Sequence, residues 1–228
     1  MPAITTILFD IDGTLVDSND FHARAWQEVF LNAGHDFPLD LFQGQIGKGG
    51  DNLVPSLLPD LSEEEQEAIA EGHGPLYRER YIALVKPFPQ ARDLLARAKE
   101  DGLTVALATS ANPEELDHYV ELLDAKELID ATTDKGDVKA TKPEPDIFAT
   151  AARKAGARPD QALAIGDTPY DVLAAKRAGI GAIGLLSGGF PEEDLRAAGA
   201  LAVYKDAADL LAQWESSPVR QASALQAS

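Results

Sequence analysis

The sequence predicts an α/β fold in which a helical domain is inserted into a parallel sheet, and three observations predict it. Short apolar segments alternate with amphipathic helical patterns over most of the 228 residues, which is typical of βαβ units. The apolar segments are continuous rather than alternating with polar residues, as expected of strands that are covered on both faces. Between residues 16 and 85 the alternation stops, and only helical patterns occur.

The expected core is a doubly wound (Rossmann-like) parallel sheet formed by residues 1–15 and 86–215. Five segments predict its strands: Ile4–Phe9, Leu103–Leu107, Ile129–Thr133, Ala162–Ile165 and Ala182–Leu186. The carboxyl ends of parallel strands lie at one edge of such a sheet, so residues that follow different strands can meet there.

The segment 16–85 predicts an all-helical domain. Its predicted helices cover Asn19–Asn32, Lys48–Leu58 and residues 62–85, and Ser62 with Glu65 has the spacing of a capping box. We expect its two connections to the sheet near residues 16–20 and 86–89. Residues 216–228 are polar and rich in small side chains, so we expect a flexible tail there.

Composition and charge exclude several classes of function. The chain has 38 acidic and 20 basic residues, and its formal net charge is -18. Such a surface repels nucleic acid and anionic membranes, which are bound through Lys and Arg. The absence of cysteine excludes disulfides, thiolate metal sites and cysteine nucleophiles. Neither a secretory signal nor an apolar stretch of roughly 18 residues is recognised, so we expect a cytoplasmic protein.

Charged and hydroxyl side chains follow the first two predicted strands. Asp10 and Asp12 lie at the carboxyl end of the first strand, where two carboxylates can hold a divalent cation or present an oxygen to an electrophile. The alternative is that they simply form an Asp-Gly turn. Thr109 and Ser110 follow the second strand and precede a helix. A helix N-terminus with hydroxyl groups can bind an anion, although helix capping alone would also explain these residues.

Two further motifs complete the pattern. Lys142 precedes a proline-stiffened helix start and could neutralise a phosphate or pair with a carboxylate; the alternative is an exposed lysine. Asp167 follows Gly166 at the end of a strand and suits a metal, whereas Asp171 lies one turn into the next helix, where a negative charge is favourable in any case. Oxygen ligands without a His/Cys cluster favour magnesium over zinc.

In order and setting, these four motifs resemble those of the haloacid dehalogenase-like (HAD) superfamily, in its phosphoglycolate phosphatase and β-phosphoglucomutase branch. The resemblance extends to about Trp214 and includes a helical cap inserted after the first motif. It implies that Asp10 is a nucleophile that becomes an aspartyl-phosphate. It also implies that Asp12 protonates the leaving oxygen and then activates water.

The resemblance further implies a ligand set. Mg²⁺ would be held by Asp10, by the backbone carbonyl of Asp12 and by Asp167, and Asp171 would support the site. The phosphoryl oxygens would be bound by Lys142 and by Thr109 or Ser110.

Departures from the family patterns favour a hydrolase. Dehalogenases of the family lack the second aspartate, which is present here as Asp12. Mutases similar to β-phosphoglucomutase carry a lysine just before a cap glycine and an arginine three residues after it, where this chain has Ile46 and Gly50. Phosphonatases need a Schiff-base lysine that also aligns with Gly50, and Lys48 is out of register with it.

Two cap features have open roles. His22 matches a histidine of the mutase and of several phosphatases, and either positions Asp12 or is structural. The loop with Gly47, Lys48 and Gly49 either closes over the substrate and sets specificity or simply begins a helix.

The sequence therefore predicts a magnesium-dependent phosphatase for a small phosphorylated metabolite such as phosphoglycolate or a sugar phosphate. The alternatives are a sugar phosphomutase and a non-catalytic protein that binds a phosphorylated ligand. The substrate and the oligomeric state stay open.

Overall fold

A six-stranded parallel sheet forms the centre of the molecule, for which a computed structural model describes residues 3–137 and 140–220. The strand order is β3-β2-β1-β4-β5-β6, with every neighbouring pair parallel, which confirms the predicted α/β class. The strands are β1 (Thr6–Phe9), β2 (Thr104–Leu107), β3 (Ala131–Thr132), β4 (Ala162–Gly166), β5 (Gly181–Leu185) and β6 (Ala202–Tyr204). The sequence did not predict β6, because three residues are too few to show a pattern.

The register of the central strands determines what meets at their carboxyl ends. Phe9 of β1 is level with Leu107 of β2 and with Ile165 of β4. Asp10 therefore emerges between the residues that follow β2 and those that follow β4. Both faces of the sheet are covered, since Phe9 belongs to one buried apolar cluster and Leu8 to another.

Helices fill the segment between β1 and the next unit of the sheet. They are α1 (Asn19–Asn32), α2 (Leu39–Gln43), α3 (Gly50–Leu57) and α4 (Glu63–Arg80). Helix α1 has the predicted bounds, and the capping box of Ser62 and Glu65 starts α4. Helix α2 was not predicted because five residues do not establish a helical period. Trp26, Phe30 and Phe42 are buried in a separate apolar cluster here, and we call residues 16–85 the cap.

The two connections of the cap lie side by side. The Asp17 backbone N–H donates to the Lys86 carbonyl (2.9 Å), and the Phe88 N–H donates to the Leu15 carbonyl (2.9 Å). Val16 and Pro87 form an antiparallel bridge between these two hydrogen bonds. The cap is therefore joined to the sheet through one short two-stranded link.

The remaining helices flank the sheet: α5 (Ala91–Glu100), α6 (Pro113–Leu122), α7 (Asp146–Lys154), α8 (Pro169–Arg177), α9 (Glu192–Ala198) and α10 (Ala207–Ala212). No helix among the described residues is long and apolar enough to cross a bilayer. The expected tail from residue 216 is instead packed at its start, because the apolar Val219 is buried in the cluster that holds Trp214. Residues 221–228 of that tail lie outside the described residues.

Candidate active site

Three carboxylates meet at the carboxyl edge of the sheet. Asp10 follows β1, Asp167 follows the neighbouring β4, and Asp171 lies in the first turn of α8. All three are buried, and each offers an oxygen within 4.8 Å of the others. Asp171 also caps α8, because one of its oxygens accepts hydrogen bonds from the Thr168 N–H (3.0 Å) and hydroxyl (2.7 Å). Asp171 therefore both belongs to the acidic site and stabilises the start of α8, so the two sequence-based explanations of this residue are compatible.

Lys142 lies between two of these carboxylates. Its ammonium group contacts the Asp10 carboxylate and lies 2.5 Å from Oδ1 of Asp171. The residue is 6% exposed, which excludes the alternative of a solvent-exposed lysine. Burial alone would lower the pKa of Lys142, but Asp10 and Asp171 raise it well above its usual value. Lys142 is therefore a fixed positive charge.

One ammonium group does not balance three buried carboxylates. Burial, opposed by Lys142 and reinforced by Asp171, raises the pKa of Asp10 to about 7. Burial and the charges of Asp171 and Asp10 raise the pKa of Asp167 well above its usual value. In addition, Oδ1 of Asn19 is buried without a hydrogen-bond partner among the described residues. An excess of negative charge on oxygen donors is what Mg²⁺ requires, so these residues fit the predicted metal.

Residues that the sequence analysis left without a role hold Asp167 in place. The Thr14 hydroxyl donates to Oδ1 of Asp167 (2.9 Å), and Asn19 Nδ2 donates to Oδ2 (2.8 Å). A Cβ atom on Gly13 or on Gly188 would overlap the same carboxylate, so both positions require glycine. Gly13 and Thr14 directly follow Asp12 in the sequence, so their position next to the first motif could have signalled them. Asn19 and Gly188 left no signal, because their contacts exist only in the folded chain.

Asp12 is in a different environment from Asp10. Its Oδ1 accepts a hydrogen bond from the Ser18 hydroxyl (2.6 Å) and lies 3.1 Å from Nε2 of His22. Burial would raise the pKa of Asp12, but the charge of His22 and hydrogen bonds from His22, Ser18 and Tyr119 lower it to about 2. The two aspartates of the first motif therefore have opposite pKa shifts, and Asp12 is ionised at neutral pH.

Two ring side chains of α4 contact His22. Its ring stacks on Tyr77 of α4 with the centroids 3.8 Å apart, and its Nδ1 lies 3.4 Å from Nε2 of His73. Burial lowers the pKa of His73 well below its usual value, so His73 is neutral. The sequence analysis did not single out His73, because a histidine within a helical pattern carries no signal of its partner.

The predicted phosphate-binding hydroxyls line the same cavity, which has a volume of about 180 Å³ and also reaches Asp10, Asp12, Lys142 and Asp167. The Thr109 hydroxyl accepts a hydrogen bond from the Ala111 N–H (3.0 Å) and so stabilises the turn after β2. Ser110 is half-buried and borders the cavity. The Thr109 hydroxyl therefore has a structural role as an acceptor from the backbone.

The cap loop, which contains Gly47, Lys48 and Gly49, closes the cavity on the side of the cap. Gly47 has a φ of 96°, and a Cβ atom there would lie 2.8 Å from the side chain of Thr168 in the core. Lys48 donates to Oε1 of Gln45 (2.5 Å), and its ammonium lies 5.0 Å from the centre of the Tyr170 ring. Gly47, Lys48 and Gly49 all border the cavity, so the loop is placed to contact a bound molecule.

Comparison with known proteins identifies the family. The model of the haloacid dehalogenase-like hydrolases matches residues 4–179. The chain belongs to this family. The "Protein CbbY" of Cereibacter sphaeroides is 31% identical over 189 residues, which cover 78% of this chain and 82% of that protein. The phosphoglycolate phosphatase of Aquifex aeolicus is 29% identical over 174 residues, covering 76% and 80% respectively.

Solved structures share the fold of this chain. A hydrolase from Pseudomonas syringae superposes with a TM-score of 0.86 at 34% identity, covering 93% of this chain and 98% of that chain. The β-phosphoglucomutase of Clostridium difficile superposes with a TM-score of 0.81 at 20% identity, covering 99% and 100%. At that identity the second likeness shows the fold alone.

Proposed function

We propose that this HAD hydrolase is a magnesium-dependent phosphatase that acts on a small phosphorylated metabolite through an aspartyl-phosphate on Asp10. The observation that carries the proposal is the buried group of Asp10, Asp167 and Asp171 around Lys142, with the ionised Asp12 at the same cavity. One relative named as a phosphoglycolate phosphatase and another named as a pyrophosphatase support the same class of reaction, the hydrolysis of a phosphate compound.

In the first step a carboxylate oxygen of Asp10 attacks the phosphorus atom, and the bond from phosphorus to the ester oxygen breaks. Asp12 donates a proton to the departing oxygen. Asp12 is ionised when the cavity is empty of substrate, but the approach of a phosphate dianion raises its affinity for a proton. Asp12 therefore takes up one proton from solvent as the substrate binds, and this is the proton that it donates. Lys142 neutralises charge on the phosphoryl oxygens and holds the Asp10 carboxylate in place, which lowers the barrier between two anions.

In the second step a water molecule attacks the phosphorus atom and gives its proton to Asp12. The bond between phosphorus and the Asp10 oxygen breaks, which releases inorganic phosphate and restores the carboxylate. Asp12 has given up its proton in the first step and its pKa is low, so it is ionised when the water attacks, as a general base must be. Mg²⁺ held by Asp10, the Asp12 carbonyl and Asp167 would supply further positive charge to offset the repulsion between nucleophile and phosphate.

The cap loop favours a hydrolase over a phosphomutase. Ile46 is buried and apolar, and a Cβ atom on Gly50 would lie 2.8 Å from the Cβ of Ala70 and 3.0 Å from the Trp26 ring. Neither position carries the cation that a mutase needs to hold the second phosphate of a bisphosphate, and at Gly50 the neighbouring side chains leave no room for one. We therefore assign water, rather than a second hydroxyl of the substrate, as the phosphoryl acceptor.

The test is the release of inorganic phosphate from a panel of phosphorylated metabolites, including phosphoglycolate and sugar phosphates, with Mg²⁺ or with EDTA. We expect activity only with Mg²⁺, its loss in Asp10→Asn, and its retention in Asp117→Asn, a matched change on the exposed side of α6. Activity that survives EDTA or Asp10→Asn would contradict the mechanism. Isomerised phosphate in the ³¹P NMR spectrum would favour a mutase, and tight binding without turnover would favour a binding protein.

A further inference from the structure

The hydroxyl group of Thr141 is used entirely by the cap. Its Oγ1 accepts hydrogen bonds from the Gly49 N–H (3.1 Å) and from Nδ2 of Asn52 (3.0 Å), and it donates to the carboxylate of Asp51. A threonine hydroxyl has one donor and two acceptor positions. All three are filled by residues at the start of α3, although Thr141 belongs to the sheet domain.

The backbone around Thr141 strengthens this contact. The Thr141 N–H donates to the Asp51 carboxylate (3.1 Å), and Nδ2 of Asn52 also lies 3.4 Å from the Lys142 carbonyl. A Cβ atom on Gly49 would overlap the Thr141 side chain, so the close approach depends on glycine at this position. With the Gly49 N–H included, three backbone groups and three side chains thus form a single interdomain junction, which we call the Thr141 junction.

The junction is one peptide bond away from the candidate active site. Lys142 follows Thr141 directly, and its ammonium contacts Asp10 and Asp171 on the opposite side. The same short segment is therefore held by the cap at one residue and by the buried carboxylates at the next.

We propose that Thr141 is a positioning residue that couples closing of the cap over the substrate to the placement of Lys142. The coupling rests on the proposed phosphatase function, because that function makes Lys142 the group that receives the phosphate. When the cap is closed, the Thr141 junction fixes the backbone from which Lys142 extends. When the cap opens, water replaces Gly49, Asp51 and Asn52, and this restraint is lost.

The size of the effect follows from the bonds that Thr141 loses. Two of these hydrogen bonds join neutral groups and the third reaches the Asp51 carboxylate, and each contributes only modestly once water competes for it. Removing the hydroxyl is therefore expected to shift the balance from closed to open by about tenfold. Thr141→Val keeps the shape and removes the hydroxyl, whereas Thr141→Ser keeps the hydroxyl. We expect kcat/KM for phosphate release to fall about tenfold in Thr141→Val and to be retained in Thr141→Ser.

A second pair of variants tests the junction from the cap side. Gly49→Ala places a methyl group against Thr141 and is expected to reduce kcat/KM as Thr141→Val does. Gly44→Ala is the matched control, because a Cβ atom at Gly44 meets nothing closer than 3.8 Å and the backbone there has a φ of -68°. Loss of activity in both glycine variants would contradict a specific role of the junction.

The position of the cap can be measured without any turnover. The chain has no cysteine, so Leu31→Cys in α1 and Leu201→Cys before β6, both at exposed positions, accept a pair of spin labels. With Mg²⁺ and inorganic phosphate present, we expect one short distance in the otherwise unchanged protein and in Thr141→Ser. In Thr141→Val we expect an added population at longer distance.

The result that overturns the proposal is a Thr141→Val variant whose distance distribution and kcat/KM are the same as those of Thr141→Ser. If no substrate in the panel is hydrolysed, the proposed function fails, and the spin-label distances alone then decide whether the Thr141 junction closes the cap.

Discussion

Asp10→Asn is expected to stabilise the metal-free protein at pH 8 while it abolishes phosphate release. The folded chain holds the Asp10 carboxylate in a buried site that raises its pKa from 3.8 to about 7. Asparagine resembles the neutral carboxylic acid in shape but carries no charge. The substitution therefore removes the unfavourable free energy of ionising this buried group in the folded protein.

The sign and the size follow from linkage between protonation and folding. Below pH 3.8 Asp10 is protonated in both states, and it has no effect. Between pH 3.8 and about 7 Asp10 has lost its proton in the unfolded chain but keeps it in the folded protein, so stability falls as the pH rises. Above that range Asp10 is ionised in both states and stability falls no further. A shift of about three pKa units corresponds to roughly 4 kcal/mol. We expect Asp10→Asn to gain ~2–4 kcal/mol at pH 8 and roughly 2 kcal/mol less at pH 5.5.

Asp12→Asn is the matched control, because it removes the same charge two residues away. The pKa of Asp12 is lowered to about 2, so its carboxylate contributes stability above pH 3.8 that is lost as the pH falls toward 2. Asp12→Asn is therefore expected to lose about 2 kcal/mol at pH 8. The two substitutions should change stability in opposite directions although both abolish activity.

The assay is urea unfolding in EDTA, followed by the fluorescence of Trp26 in the cap and Trp214 in the core, both of which are buried. Mg²⁺ should stabilise the unsubstituted protein by mass action and should stabilise Asp10→Asn less. The reasoning is refuted if Asp10→Asn is no more stable than the unsubstituted protein at pH 8, or if its advantage does not change with pH.

Three further predictions concern the groups around these aspartates. Lys142→Met should lower kcat/KM by about 100-fold or more and should destabilise the metal-free protein in urea, because three buried carboxylates lose their cation; unchanged stability would argue against the observed ion pairs. Gly188→Ala should weaken Mg²⁺ binding about tenfold in calorimetry, since its methyl group displaces Asp167, whereas Gly44→Ala should bind Mg²⁺ normally. His22→Gln should move the acidic limb of the kcat/KM profile to higher pH, because His22 lowers the pKa of Asp12; an unmoved limb would separate His22 from Asp12.

Much of the fold could be predicted from local patterns. The strands β1, β2, β4 and β5 and the helices α1 and α4 are long or apolar enough to show their period, and the structure contains all of them. The two-residue β3 was predicted too long, and β6 and α2 were missed. A period of 2 or 3.6 residues cannot be recognised in elements that span one period or little more.

The contacts of the site could be predicted only in part. The types of residue at the strand ends indicated a phosphate site with magnesium, because residue type determines which atoms are offered. The sequence analysis missed the residues that surround Asp167, which are Thr14, Asn19 and Gly188. It also missed the hydrogen bonds between the cap and Thr141. These residues are ordinary in their local sequence, and their roles arise from neighbours that are distant in the chain.

The sequence by itself determined the order of strands and helices along the chain and the chemical groups that stand at each strand end. Only the tertiary structure decided that Asp10 is ionised with difficulty whereas Asp12 is readily ionised, although the two are separated by one residue. The physical reason is that a pKa depends on burial and on charges within a few ångströms. For Asp10 those charges belong to Lys142 and Asp171, and for Asp12 the charge belongs to His22.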